Sequence, residues 1–255
     1  MKVYFIGAGP GAADLITLRG ANILRAAPLV MYAGSLVSRD MLVHCRAEAE
    51  IVDTAGLSLD EQEAVYRRAL EGRLDVARLH SGDPAIYGAM AEQMRRLDRL
   101  GIAYEVVPGV SSFTAAAAVL NAELTKPGVA QTIILTRTSG RASPMPENES
   151  LAALAAHRTT LCIFLSGAQL DQVIADLSAS YSPETPVALV QKATWPQERI
   201  YEGTLGAMAA EISARDWQLS TLMLVGPALD RAPAMESKLY SRDYSHRFRK
   251  GARAT

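Results

Sequence analysis

The chain has 255 residues, 49% of them hydrophobic and 21% charged, with a formal net charge of -1. That length and apolar content fill the core of one large domain or two small ones and exclude a largely disordered chain. The near-neutral balance argues against a nucleic-acid binder that works through bulk electrostatics. The charge is unevenly spread, because residues 231–255 hold seven basic and two acidic side chains, so a mildly acidic body ends in a basic tail. The ordinary reading of that tail is a solvated terminus; the other is contact with an anionic partner.

In chain order, "KVYFI" (2–6) reads as a short buried strand that runs into the glycine turn "GAGPG". A helical pattern follows from Asp14 to about Ala26, with Leu15, Leu18, Ile23 and Leu24 as its apolar positions. "LVMYA" (29–33) is a second strand, "DEQEAVYRRALEG" (60–72) a capped helix closed by Gly72, and "DVARLHSGD" (75–83) a strand entering a turn. "AMAEQMRRLDRLG" (89–101) is an amphipathic helix, and "IAYEVVPG" (102–109) is strand into turn. Strands alternating with helices of this length predict a largely parallel sheet covered on both faces.

The second half has another texture. "QTIILTR" (131–137) and "TTLCIFLSG" (159–167) are apolar strands separated by a Pro/Ser/Gly/Asn-rich loop, followed by a helix near Gln169–Leu177. "PVALVQKAT" (186–194), "ERIYEGTL" (198–205) and "STLMLVGPAL" (220–229) complete the strands, with the segments around Pro196 and Gly203 close enough to be hairpin partners. The expected architecture is two α/β domains: residues 1–110 with a mostly parallel sheet, and residues 111–230 with a mixed one. The Ala-rich helix "SSFTAAAAVL" bridges them, and the basic tail occupies 231–255.

Gly7, Gly9 and Ala12 satisfy the spacing of a dinucleotide-binding turn. Such a fold also needs an acidic residue at the end of its second strand, and "LVMYAGSLV" has none. Pro10 removes a backbone N–H that a phosphate cradle would use. The turn is therefore read as a binding turn for something other than pyrophosphate, its glycines leaving clearance for a planar ligand. In "HSGDPAIYG" (80–88) Gly82 supplies unusual φ, Asp83 caps and Pro84 opens a helix. The turns after Ile6, Leu79 and Val107 would all open at the carboxyl ends of their strands, where ligands of open α/β sheets collect.

Cys45 and Cys162 stand far apart and outside any C-x-x-C pair, so neither a metal site nor a disulfide framework is suggested, and a reducing cytoplasmic setting fits. Met1 and Lys2 lead straight into a strand, unlike a cleavable signal peptide. No run reaches the roughly 18 apolar residues of a membrane span, so a soluble protein with no membrane partner is expected.

These motifs together, "GAGPGAADLITL", "YAGSLVS" (32–38), "HSGDPAIYG", "VVPGVSSFTAAAA" (106–118), "TLCIFLSG" and "PVALVQKAT", make the chain resemble the tetrapyrrole (precorrin-type) methyltransferases, in order and nearly throughout to about residue 229. The resemblance implies a two-domain α/β homodimer that binds S-adenosyl-L-methionine in a cleft between the domains, unrelated to Rossmann-type methyltransferases. It assigns cofactor contacts to Pro10, to Ser81, Gly82 and Asp83, to Ile86 on the following helix, and to Ser111 and Ser112, which match the Thr-Ala pair after "PG". Ser166, where several relatives have Met, and Ala193 complete the set.

"YAGSLVS" and "LTRTSGRASPMPE" (135–147) look like the branch that methylates carbon 11 of precorrin-4 or its cobalt form; the uroporphyrinogen branch has an Asp in the first motif and Gly-Gly-Asp in place of Ser-Gly-Asp. A polycarboxylate macrocycle calls for Arg forks, and Arg137 and Arg141 are either those forks or solvated loop charges. Tyr32 and Tyr87 could pack on the macrocycle, and His80 either orients substrate or is a satisfied structural histidine. No general base is assigned. A nicotinamide-dependent dehydrogenase, an RNA or protein methyltransferase and a non-catalytic tetrapyrrole carrier are the competing readings.

Overall fold

The computed structural model describes residues 1–138, 144–165, 169–213, 215, 217, 219–232, 235, 237 and 241–250. It divides into two units. The first is Met1–Leu120 together with Val190–Arg199, and the second is Asn121–Leu189 with Ile200–Thr255. The division falls after Leu120, whereas residue 110 was expected, because the helix "SFTAAAAV" follows directly from a turn close to the first sheet's other turns: a Cβ on Gly82 would lie 3.6 Å from both Ser111 Cα and the Ser112 amide nitrogen.

The first unit is built on five strands, β1 (Lys2–Gly7), β2 (Leu29–Tyr32), β3 (Glu50–Asp53), β4 (Val76–His80) and β5 (Ala103–Val107), in the order β3-β2-β4-β1-β5 and all parallel. Alternation sorts their side chains. Val3, Phe5, Leu29, Met31 and Val76 face one way, onto Tyr66 and Ala69 of α2 (Leu59–Glu71) and Leu97 of α3 (Met90–Arg99). Ile6, Val30, Tyr32, Ala77, Leu79 and Val107 face the other way and pack with Leu24 of α1 (Leu18–Ala26). Both faces are thus buried, which is why these strands read as nearly unbroken apolar runs. Helix α4 (Ser112–Val119) ends this part of the chain.

Local chemistry sets the helix starts. Ser58 and Glu61 form a reciprocal capping box at α2. The helix expected from Asp14 is instead a single 3-10 turn (Ala13–Leu15), and α1 begins only after Thr17, whose side chain accepts from the Gly20 N–H at 3.1 Å. No helix follows Pro84 directly either: α3 starts at Met90, and residues 84–87 form turns. Strand β3 was not legible from periodicity because it is an edge strand with little burial.

The second unit carries β6 (Ile133–Arg137), β7 (Thr160–Leu165), β8 (Pro186–Gln191), β9 (Arg199–Thr204) and β10 (Thr221–Val225), in the order β6-β7-β10-β8-β9. The β6/β7 pair is parallel and the β7/β10 pair antiparallel, so the sheet is mixed, and β8 and β9 are neighbours. Leu161, Ile163, Leu189 and Met223 form its core with Leu170, Val173 and Leu177 of α6 (Leu170–Ser178) and Met208 of α7 (Leu205–Glu211). Directly after the stretch read as a loop, 138–150, α5 (Leu151–Ala155) forms because Ser150 accepts from the Ala153 N–H at 3.3 Å and Leu151 and Ala155 bury. No helix among the described residues is long and apolar enough to cross a membrane.

A Cβ on Gly7 would overlap Gly109 Cα and lie 2.7 Å from the Gly82 carbonyl, whereas one on Gly56 would meet nothing within 4 Å. Gly7→Ala is expected to lower unfolding free energy by about 2–4 kcal/mol in urea titration, and Gly56→Ala by less than about 0.5 kcal/mol.

Candidate functional site

Because β4, β1 and β5 are adjacent and parallel, the turns that follow them stand side by side at one end of the first sheet. The Ala8 N–H donates to the His80 carbonyl at 2.8 Å. Gly9 and Gly82 exchange both backbone hydrogen bonds, at 3.2 and 2.8 Å. Gly9 and Gly82 both take positive φ, +76° and +62°, where a side chain is disfavoured. The clearance expected at these glycines is taken up by the protein itself: Gly7, Gly82 and Gly109 meet one another, Gly9 meets the Leu15 carbonyl and Gly11 meets the Trp195 indole. Their smallness allows the turns to touch.

Asp83 fastens the second turn to the third. Its Oδ1 accepts from the Ala85 N–H at 2.7 Å and its Oδ2 from the Gly109 N–H at 3.0 Å. Ser81 is exposed, Gly82 is buried, and Ile86 lies half-buried in the turn, not on a helix. Tyr87 and Ala89 hold left-handed backbone, φ 53° and 49°, the kind of strain that persists only where surroundings impose it. The Tyr87 ring is half exposed beside this turn.

Ser111 is buried and occupies the N-cap of α4, yet its side chain makes no cap hydrogen bond, so the amides of the first turn of α4 are not capped by it. Pro10 and Ala193 are buried, and Ala193 belongs to the Val190–Arg199 segment that joins this unit. Pro10, Ser81, Gly82, Asp83, Ile86, Ser111, Ser112 and Ala193 all lie in the first unit. Ser166 and Arg141 lie outside the described residues.

Two of the expected substrate contacts are buried. Tyr32 is 1% exposed inside the core, its hydroxyl hydrogen-bonded to Asp53, and it offers no ring face to a macrocycle. His80 is buried under the second turn against Phe5, 5.6 Å between centroids, hydrogen-bonded to the Gly88 backbone, while its Nε2 meets no partner. Burial, reinforced by the nearby Arg78 guanidinium, pushes its pKa down to about 3, so it is a neutral prop for the strained turn. Arg78 itself is buried and held wholly by neutral oxygens, Thr54 Oγ1 (2.8 Å), Gln93 Oε1 (3.2 Å) and Gln62 Oε1 (3.3 Å).

In the second unit, Arg137 ends β6 and donates to the Thr138 carbonyl at 3.1 Å. It lines a cavity of about 500 Å³ with Met145, Glu147, Gln169 and Gln172. The Cys162 thiol is buried in the sheet and pushed up to about 12 by that burial, which removes it from nucleophilic chemistry.

The family model for tetrapyrrole (corrin/porphyrin) methylases matches residues 2–209. The chain belongs to that family. Among tetrapyrrole methylases, the precorrin-4 C(11)-methyltransferase of Sinorhizobium sp. is 52% identical over 249 residues, covering 98% of each chain. The X-ray structure of a cobalt precorrin-4 methyltransferase superposes with a TM-score of 0.84 at 44% identity, covering 90% of this chain and 96% of that one. The uroporphyrin-III C-methyltransferase of Thermus thermophilus, solved in complex with S-adenosylhomocysteine, superposes at 0.75 with 27% identity, covering 92% and 96%. Thr194 closes the quoted motif "PVALVQKAT", whereas Trp195, which also touches the first turn of this methylase, lies one residue beyond it and escaped the motif reading because nothing local marks its partnership with Gly11.

Because Asp83 ties two turns together, its replacement is not neutral for the fold: Asp83→Ala is expected to cost about 1–3 kcal/mol in urea denaturation, with Asp83→Asn nearer the parent. The depressed pKa of His80 means that the unfolded chain binds a proton more readily than the folded one below pH 6.5. Stability therefore falls as pH drops from 6.5 toward about 3. The loss from this group reaches up to about 1.4 kcal/mol per pH unit. In His80→Asn, which keeps a donor for Gly88, urea midpoints measured between neutral and mildly acid pH should decline less steeply than in the parent.

Proposed function

We propose that this chain is an S-adenosyl-L-methionine-dependent methyltransferase that methylates carbon 11 of precorrin-4, giving precorrin-5, in the construction of the corrin ring of cobalamin, and that it works as a cytoplasmic homodimer. The observation that carries the reading is the contrast in identity. The chain is 52% identical across its length to a C(11)-methyltransferase but 27% identical to a uroporphyrin-III methyltransferase of the same fold. Its Ser81-Gly82-Asp83 turn and its "YAGSLVS" strand end, which lacks an Asp, agree with that side of the family.

The donor set fits a zwitterionic adenosyl ligand. The α4 amides left uncapped by Ser111 suit a carboxylate, the Asp83 carboxylate suits hydroxyl or ammonium donors, and Ile86 and Ala193 supply apolar surface. When bound, S-adenosylmethionine supplies a methyl group activated by its sulfonium. The chain's part is to align and desolvate, since positive charge disperses during transfer and the reduced macrocycle brings its own electron-rich carbon. Neutral, buried His80 leaves that task to geometry and contributes no base. In the second unit, Arg137 would pair with an acetate or propionate arm of the substrate.

Incubation with precorrin-4 or its cobalt form and carbon-13 methyl-labelled cofactor should yield one added methyl at carbon 11 by mass spectrometry and NMR. Arg137→Ala should raise tetrapyrrole KM by about tenfold while leaving the cofactor KM within about twofold. Label at another carbon, or no transfer to either substrate, would discard the assignment.

A further inference from the structure

The segment Val190–Arg199 leaves the second half of the chain to grip the Pro10 turn. Trp195 Nε1 donates to the Pro10 carbonyl at 2.8 Å, and the Ala12 N–H donates to Thr194 Oγ1 at 3.0 Å. The backbone groups on both sides of Gly11 are therefore tied to two consecutive side chains. Gly11 does not hold positive φ. A Cβ there would instead run into the indole, 2.9 Å from Trp195 Cγ and closer still to Cδ1 and Nε1. The glycine at 11 is demanded by the tryptophan at 195.

Thr194 is held in left-handed backbone, φ 68°, and Lys192 likewise, φ 50°. A β-branched residue is disfavoured there, and a plain connection between β8 and β9 would be met by Gly or Asn. Thr places a hydroxyl where the Ala12 N–H needs an acceptor. The strained path is held by the Thr194 N–H donating to Glu198 Oε2 at 2.6 Å, the Trp195 N–H to the Lys192 carbonyl at 2.9 Å and the Glu198 N–H to the Trp195 carbonyl at 3.0 Å. Strain of this kind persists where the surrounding structure over-determines it, and it gathers at ligand clamps.

We propose that Thr194 and Trp195 are positioning residues for the methyl donor: together they set the path of the Pro10 turn and present Ala193, so that the donor site is formed before the ligand arrives. This rests on the cofactor reading above. Ala193 is buried between Lys192 and Thr194, so one short segment both fixes the first turn and carries a residue of the donor site. A site organised in advance gains affinity by sparing the ordering of its backbone on binding.

The test measures S-adenosylhomocysteine affinity by calorimetry, KM for each substrate and thermal midpoints in Trp195→Phe, Thr194→Val and Thr194→Ser. Trp195→Phe keeps the ring and removes the donor, and Thr194→Val removes the acceptor. Each should weaken S-adenosylhomocysteine binding and raise cofactor KM by about tenfold or more, with tetrapyrrole KM within about twofold. Thr194→Ser restores the hydroxyl and should behave like the parent. Parent-like affinity in Trp195→Phe, equal rises in both KM values, or a lower midpoint with unchanged affinity would overturn the inference alone, and Trp195→Phe decides if Thr194→Val does not fold. Failure of the unsubstituted chain to bind S-adenosylhomocysteine would overturn the inference and the cofactor reading together.

Discussion

The first unit depends on the mutual contact of Gly7, Gly82 and Gly109. Three parallel strands, β4, β1 and β5, end at one level, and three chains must leave that edge within a few ångströms of each other. Only backbones without Cβ atoms pack so closely, and Gly9 and Gly82 lock the arrangement by pairing like a fragment of antiparallel sheet. Asp83 then ties the third turn to the second through the Gly109 amide. The polar groups proposed to hold the methyl donor stand on a platform whose interior is backbone, and this makes the platform stiff.

Beneath the platform lies a small buried polar layer. Alternation along β4 sends Arg78 and His80 to the face covered by α2 and α3, where Arg78 draws Gln62 from one helix and Gln93 from the other, and Tyr66 donates to the same Gln93 at 3.1 Å. A buried guanidinium solvated by neutral amide and hydroxyl oxygens is costly, but it fixes the two helices relative to the central strand. Burial, reinforced by the same charge, keeps His80 neutral, so the prop under the Gly88 carbonyl does not switch with pH near neutrality.

Topology also disposes of the dinucleotide-binding alternative. In that fold the first two strands are neighbours, which brings the ribose-binding carboxylate of the second beside the glycine turn of the first. Here β4 lies between β1 and β2, and the acidic residue nearest the expected place, Asp53 at the end of β3, is engaged with the Gly34 and Ala55 amides, each at 2.9 Å. The glycine spacing of residues 7–12 is shared with such turns because both need a tight strand exit, not because both bind phosphate.

Hydrophobic periodicity and turn chemistry by themselves determined most strands, the two-unit α/β class, the parallel character of the first sheet and the ordered set of motifs that marks the family, because all of these are written in residues near one another in the chain. Strand β3 escaped because it is an exposed edge strand, helix α5 because it is short and its burial comes from distant neighbours, and the helix expected at Asp14 was displaced by the Thr17 cap. Only tertiary structure decided which backbone groups meet. It buried Tyr32 and His80, filled the glycine clearance with other turns, and returned Val190–Arg199 to a unit that otherwise ends at Leu120. The pairing of Gly11 with Trp195 spans 184 positions, and no local propensity reports a contact that exists only once both partners have folded.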